Sequence, residues 1–227
     1  MVKAMSKLPK QLWMLRLAFL LALGMTSVYT AGQSSPTSDA AKSASVQEGP
    51  ASGDIAHDVY RNPWFGFSCR IPYGWVERTD TMREASDDPK KAMVLLAVFE
   101  RPPEAAGSTV NSGIVIAAEA ASAYPGIKNA AQYFGPLNEV TSAQGLTKVN
   151  EPYEFPVDGK PIVRQDFIKK IGGVGLHQST LAWLARGYVV SFTFVGSNDD
   201  EVQALIEGLK IDYSNKSAKS QTKASKP

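Results

Sequence analysis

The stretch Val174-Gly-Leu-His-Gln-Ser-Thr-Leu-Ala-Trp-Leu-Ala-Arg-Gly-Tyr-Val-Val-Ser-Phe-Thr-Phe-Val195 decides the fold. Two runs rich in β-branched and aromatic residues are separated only by Arg186-Gly187, the spacing of a tight β-hairpin. Within the second run Tyr188, Val190, Phe192 and Phe194 recur at period two and are predicted to face a core. Upstream, the runs Tyr153–Val157 and Ile162–Lys170 are joined to each other by Asp158-Gly159, and to the hairpin by Gly172-Gly173. Such short links join antiparallel neighbours, because a parallel pair needs a crossover of about a dozen residues or more. This half of the chain therefore reads as a meander. After Gly196-Ser197, Asn198 with Glu201 three residues on resembles a capping box, and Val202, Leu205, Ile206 and Leu209 form one apolar stripe. A helix there would cover the sheet.

Nearer the N-terminus, Phe65, Phe67, Cys69 and Ile71 alternate with Gly66, Ser68 and Arg70, and Pro72-Tyr-Gly-Trp75 turns the chain. Val94–Phe99 and Gly113–Ala118 are continuous apolar runs, the pattern of well-covered strands. Ile127, Ala130, Ala131 and Phe134 sit at helical spacing, and Gly135-Pro136 is expected to end or interrupt that helix. These elements describe an α+β domain, an antiparallel sheet of six or more strands with helices on one face.

The 227 residues divide by composition. Residues 1–32 carry Lys3, Lys7, Lys10 and Arg16 and no acid, ahead of the apolar Leu17–Met25. That order is the one of a secretory signal peptide, with processing near Ala31 or Gly32. An uncleaved anchor is the alternative, although the apolar run is well short of the roughly 20 residues that span a bilayer. Residues 33–58 are rich in Ser, Ala, Pro and Gly and read as a linker, since they offer too little apolar area to offset ordering. Residues 59–213 are left as one domain, with 15 basic and 18 acidic residues, and 214–227 form a tail with four lysines and no acid. The tail is expected to be solvated, or to touch an anionic lipid or polymer. A mildly acidic domain does not suit a nucleic-acid module. One Cys and two His leave no ligand set for most zinc or disulfide frameworks. No cofactor and no metal are therefore expected, and the localisation expected is secreted or periplasmic.

Tyr60-Arg-Asn-Pro-Trp-Phe-Gly-Phe-Ser-Cys-Arg-Ile-Pro-Tyr-Gly-Trp75 resembles the opening of PsbP-like domains, including the DcrB/LpqN-type bacterial envelope proteins. The hairpin Leu184–Phe194, followed by a helix and a last short strand near Lys210–Tyr213, is similar to their ending. The resemblance spans about 59–213 and implies a PsbP-like α+β fold. It also implies a non-enzymatic accessory or binding role. The family's partners do not follow from the shared fold, and the partner expected here is an envelope protein or a small ligand. The lipoprotein cysteine frequent in DcrB/LpqN relatives is missing from this chain.

Catalytic chemistry finds few residues to run it. His177 lies two residues from Ser179 on one strand, but no Gly-x-Ser-x-Gly elbow accompanies it. His57 falls in the linker segment. Cys69 is in register with Phe67 and Ile71 and reads as a buried thiol, with a reactive thiol beside Arg70 as the alternative. Glu151, Glu154, Asp158 and Asp166 flank the central hairpin, where a glycosidase or calcium site would need them paired. Asp158 is explained by its turn, Asp87-Asp88-Pro-Lys-Lys91 by a solvated loop, and Asp199-Asp200-Glu201 by the positive end of a helix. No catalytic residue is assigned. Phe65, Phe67 and Trp75 are expected in the core, and Trp64 and Tyr73 are the candidate binding residues, because exposed aromatics anchor interfaces. The leading expectation is an accessory protein of the envelope without catalysis. A small-ligand or lipid carrier is the alternative, and a small hydrolase comes third.

Overall fold

A computed structural model of the chain describes residues 53–84, 92–102, 105, 107, 109–171 and 173–211. The expected leader, most of the linker, the Asp87–Lys91 cluster and the lysine tail lie outside the described residues.

Among the described residues twelve strands form two antiparallel sheets, and the α+β class is as expected. The meander is β8 (Tyr153–Val157), β9 (Lys160–Ile171), β10 (Val174–Ala185) and β11 (Tyr188–Gly196), each paired antiparallel to the next. Asp158 and Gly159, and likewise Arg186 and Gly187, all have φ between 48° and 81°. That is the primed turn whose twist matches the flanking strands. Strand β11 then pairs with β6 (Gly113–Ala120), which pairs with β5 (Ala92–Phe99). Short strands β4 (Val76–Glu77) and β7 (Thr147–Lys148) close the two ends of this eight-stranded sheet.

The first strands leave that sheet. β1 (Asp54–Ala56), β2 (Val59–Asn62), β3 (Phe67–Arg70) and β12 (Leu209–Ile211) make a second sheet in the order β1-β2-β3-β12. One expectation changes here. The first described strand begins at Asp54, inside the segment read as a linker, and His57 and Asp58 form the β1–β2 turn, with φ 52° and 56°. The last described strand, Leu209–Ile211, lies near the expected Lys210–Tyr213 and pairs with β3.

Helices cover both faces of the large sheet, not one. On one face the small sheet and α3 (Asp199–Ile206) build a core in which Phe67 meets Phe192 edge-on at 5.0 Å, with Val202, Leu205 and Ile206 buried beside them. On the other face α1 (Thr79–Glu84) buries Met82 over Val94, Ala97 and Val115, and α2 (Phe134–Ala143) buries Phe134, Leu137 and Val140 over Phe167 and Ala182. Strands such as Val94–Phe99 are apolar on both sides, so each face has to be kept from water. A 3-10 turn, Ala130–Tyr133, runs into α2, so Gly135-Pro136 does not end a helix. Pro136 lies in the first turn of α2, where its missing N–H would have no intrahelical partner anyway.

Candidate functional site

Tyr73 occupies the turn between β3 and β4 and is 93% exposed. Gly74 takes φ +82°, and the Trp75 N–H donates to the Pro72 carbonyl at 3.3 Å, closing the chain behind the ring. A large apolar side chain held outward on a short turn has nothing to gain from folding alone. Trp64 is placed differently. It packs edge-on against Phe65 at 4.5 Å and Tyr188 at 5.7 Å, while the Arg186 guanidinium lies 5.2 Å over its ring. It is half-buried and closes the rim of the core, with one surface left to solvent. Trp75 also packs on this core, and Phe65 and Phe67 are buried in it, as expected.

The polar side chains gather in three groups. On the α3 side of the large sheet, cross-strand register sets Asp166 of β9 opposite Ser179 of β10. Arg164 Nε donates to Asp166 Oδ1 at 2.7 Å, Nη1 to Gln203 Oε1 at 3.0 Å and Nη2 to Ser179 Oγ at 3.0 Å. Ser179 Oγ donates to Asp166 Oδ1, while Asn150 Nδ2 and Tyr153 OH donate to Oδ2 at 2.7 and 3.2 Å. Phe155 lies under the guanidinium, 5.0 Å away. Burial pushes the Asp166 carboxyl up, but the hydrogen bonds from Ser179, Asn150 and Arg164 and the Arg164 charge outweigh it and hold it below the usual range. The group ties three strands to α3, and Ser179 is engaged both as donor and as acceptor.

Further along β10, His177 Nδ1 lies 2.6 Å from Asp199 Oδ1 at the start of α3. Asp199 thus holds an imidazole as well as facing the helix dipole. Glu201 accepts from the Ser197 N–H at 2.8 Å and from the hydroxyls of Ser197 and Ser112, so it does not return to the Asn198 N–H as a full capping box would. The reciprocal box is found instead at Asn129 and Gln132, ahead of α2.

The third group lies on the opposite face. Glu119 is buried, and both Tyr124 OH and Tyr133 OH donate to it, Tyr133 at 2.7 Å. Burial raises its pKa to about 6 against the two hydrogen bonds that lower it. The Cys69 thiol is buried and pushed up to about 12 by desolvation, the inert state expected of it. Among the described residues no cluster of three or more His, Cys, Asp or Glu could hold a metal. Glu151 pairs with Lys148, Glu154 is exposed, and Asp158 accepts from the Ile211 N–H at 2.8 Å, so these carboxylates are not brought together as a pair.

One cavity of about 320 Å³ opens between α2, β7 and β9, lined by Asn138, Thr141, Ser142, Leu146, Thr147, Lys148 and Phe167. Buried Asn138 Oδ1 has no protein partner there among the described residues. A volume near 300 Å³ is at the lower end of small-molecule sites. Its residues carry no distinctive spacing in the sequence, because they come from a helix, a loop and two strands.

No family profile and no curated protein matches the sequence. Among solved structures the chain is similar to cyanobacterial PsbP from Synechocystis sp. PCC 6803, at 13% identity and a TM-score of 0.46, over 72% of this chain and 98% of that one. It is similar to LpqN of Mycobacterium tuberculosis, a protein involved in cell envelope biogenesis, at 14% identity and a TM-score of 0.36, over 64% and 83%. A Pseudomonas aeruginosa protein of unknown function matches at 17% identity and a TM-score of 0.32, over 60% and 81%. PsbP and LpqN are the two types that the opening and closing motifs resemble. All three are likenesses of overall fold and bring no activity or partner with them.

Proposed function

We propose that this chain is a non-enzymatic binding protein of the cell envelope that engages a protein partner through the Tyr73 turn. The observation that carries the reading is the Tyr73 ring, 93% exposed on a turn closed by Gly74 at φ +82°. Two features support it. Asp166, Glu119 and Glu201 are each held by hydrogen bonds from their own fold, which fits structural rather than reactive carboxylates. Residues 1–32 have the charge and apolar order of an export leader, which supports an envelope setting.

The test is a photo-reactive phenylalanine analogue at position 73 of the full chain in its host, with the same probe at Tyr153 as control. One envelope protein captured from position 73 and not from 153 is the expected result, and Tyr73→Ala should lose that partner while keeping the melting temperature. Identical capture at both positions would sink the reading. The weight would then pass to the second one, a small-ligand carrier, which the 320 Å³ cavity with its unpartnered Asn138 Oδ1 favours.

A further inference from the structure

The small sheet has an outer face that no described element covers. Register places Arg61 opposite Ser68, and Ser68 opposite Lys210, with Arg70 two residues along β3, so the three cations share that face while Tyr60, Cys69 and Leu209 share the buried one. Arg61, Arg70 and Lys210 are exposed. Neither arginine has an ion-pair partner among the described residues, and Lys210 has only Asp158, at 3.9 Å, with both side chains exposed. The opposing charge on the face itself is Asp54, across from Arg61 at the β1 edge.

Topology adds to the charge. β1 and β12 are the two edges of this sheet, so the chain enters the described fold at one edge and leaves it at the other. The segment that continues from the β12 edge holds Lys216, Lys219, Lys223 and Lys226 and no acid beyond residue 213. The domain as a whole is mildly acidic, so gathering free cations on the sheet from which the lysine-bearing tail departs is a directional feature. We infer that the outer face of the β1-β2-β3-β12 sheet docks on an anionic lipid bilayer, with Arg61, Arg70 and Lys210 meeting its headgroups. A bilayer fits because it presents negative charge over a plane, as the sheet presents positive charge over one. Basic residues beside such a surface each strengthen binding by about 1 kcal/mol, about fivefold, and the attraction fades within a Debye length. This docking does not rest on the protein partner proposed for Tyr73.

The test is co-sedimentation of the full chain with phosphatidylcholine vesicles, with and without phosphatidylglycerol. The triple variant R61Q/R70Q/K210Q should bind the phosphatidylglycerol vesicles about a hundredfold more weakly than the parent. Raised salt should weaken the parent most, and Lys128→Gln, on the far side of the large sheet, should change little. Should the triple variant lose its near-ultraviolet circular dichroism, Arg61→Gln and Arg70→Gln singly should each cost about fivefold. Equal binding by variant and parent would overturn the inference and assign the contact to the chain ends. So would equal binding to neutral vesicles, or capture of soluble polyglutamate in preference to vesicles. Tyr73→Ala should leave vesicle binding intact, which separates this result from the fate of the protein-partner reading.

Discussion

Glu119 is a buried carboxylate that accepts hydrogen bonds from two neutral tyrosines rather than from a cation. Its pKa in the fold, about 6, stands above the ordinary 4.5. The native state therefore holds the proton more tightly than the unfolded chain, and stability contributed at low pH is lost as pH rises through 4.5 to 6. A shift of that size is worth about 2 kcal/mol. Relative to Glu119→Gln, the parent should lose about 2 kcal/mol of unfolding free energy between pH 4 and pH 7, read by urea titration at each pH. A constant difference across that range would show that Glu119 has the same pKa in the folded and unfolded states. Neither this group nor the Arg164–Asp166–Ser179 group was legible as a unit. Period two puts Arg164 and Asp166 on one face of a strand, but Ser179, Asn150 and Gln203 reach them only through register and the docking of α3.

At the scale of elements, local chemistry carried far. The Asp158-Gly159 and Arg186-Gly187 hairpins formed where the sequence placed their two-residue turns, whose geometry requires positive φ, and Asn198 caps α3, its Oδ1 accepting from the Glu201 N–H at 2.9 Å. Asn198→Ala should cost about 1 kcal/mol, and Asn198→Gly only a few tenths, in equilibrium urea unfolding. Equal losses would mean that the side-chain bond is not what holds the helix start. Gly135-Pro136 was misjudged for a specific reason. The same dipeptide that stops a helix from inside suits its first turn, and only the preceding 3-10 turn, capped by Asn129, decides which applies.

At the scale of the molecule, the two sheets share one core, with Phe67 of the small sheet against Phe192 of the large one and α3 packed beside both. Thermal unfolding of the domain should be a single transition with calorimetric and van't Hoff enthalpies equal, and Phe67→Ala should lower stability by about 3–5 kcal/mol without splitting it. An early separate melt of the small sheet would contradict the shared core. By itself the sequence determined the α+β class, the antiparallel meander and the burial of Cys69, because turn chemistry, period two and residue type act over a few neighbours. Only the tertiary structure decided that the first strands leave to form a second sheet with β12, that helices cover both faces, and that Trp64 is packed while Tyr73 stands free. It alone gathered Arg61, Arg70 and Lys210 on one plane. Those outcomes depend on contacts between residues distant in sequence, such as Cys69 with Leu209, which local spacing does not encode.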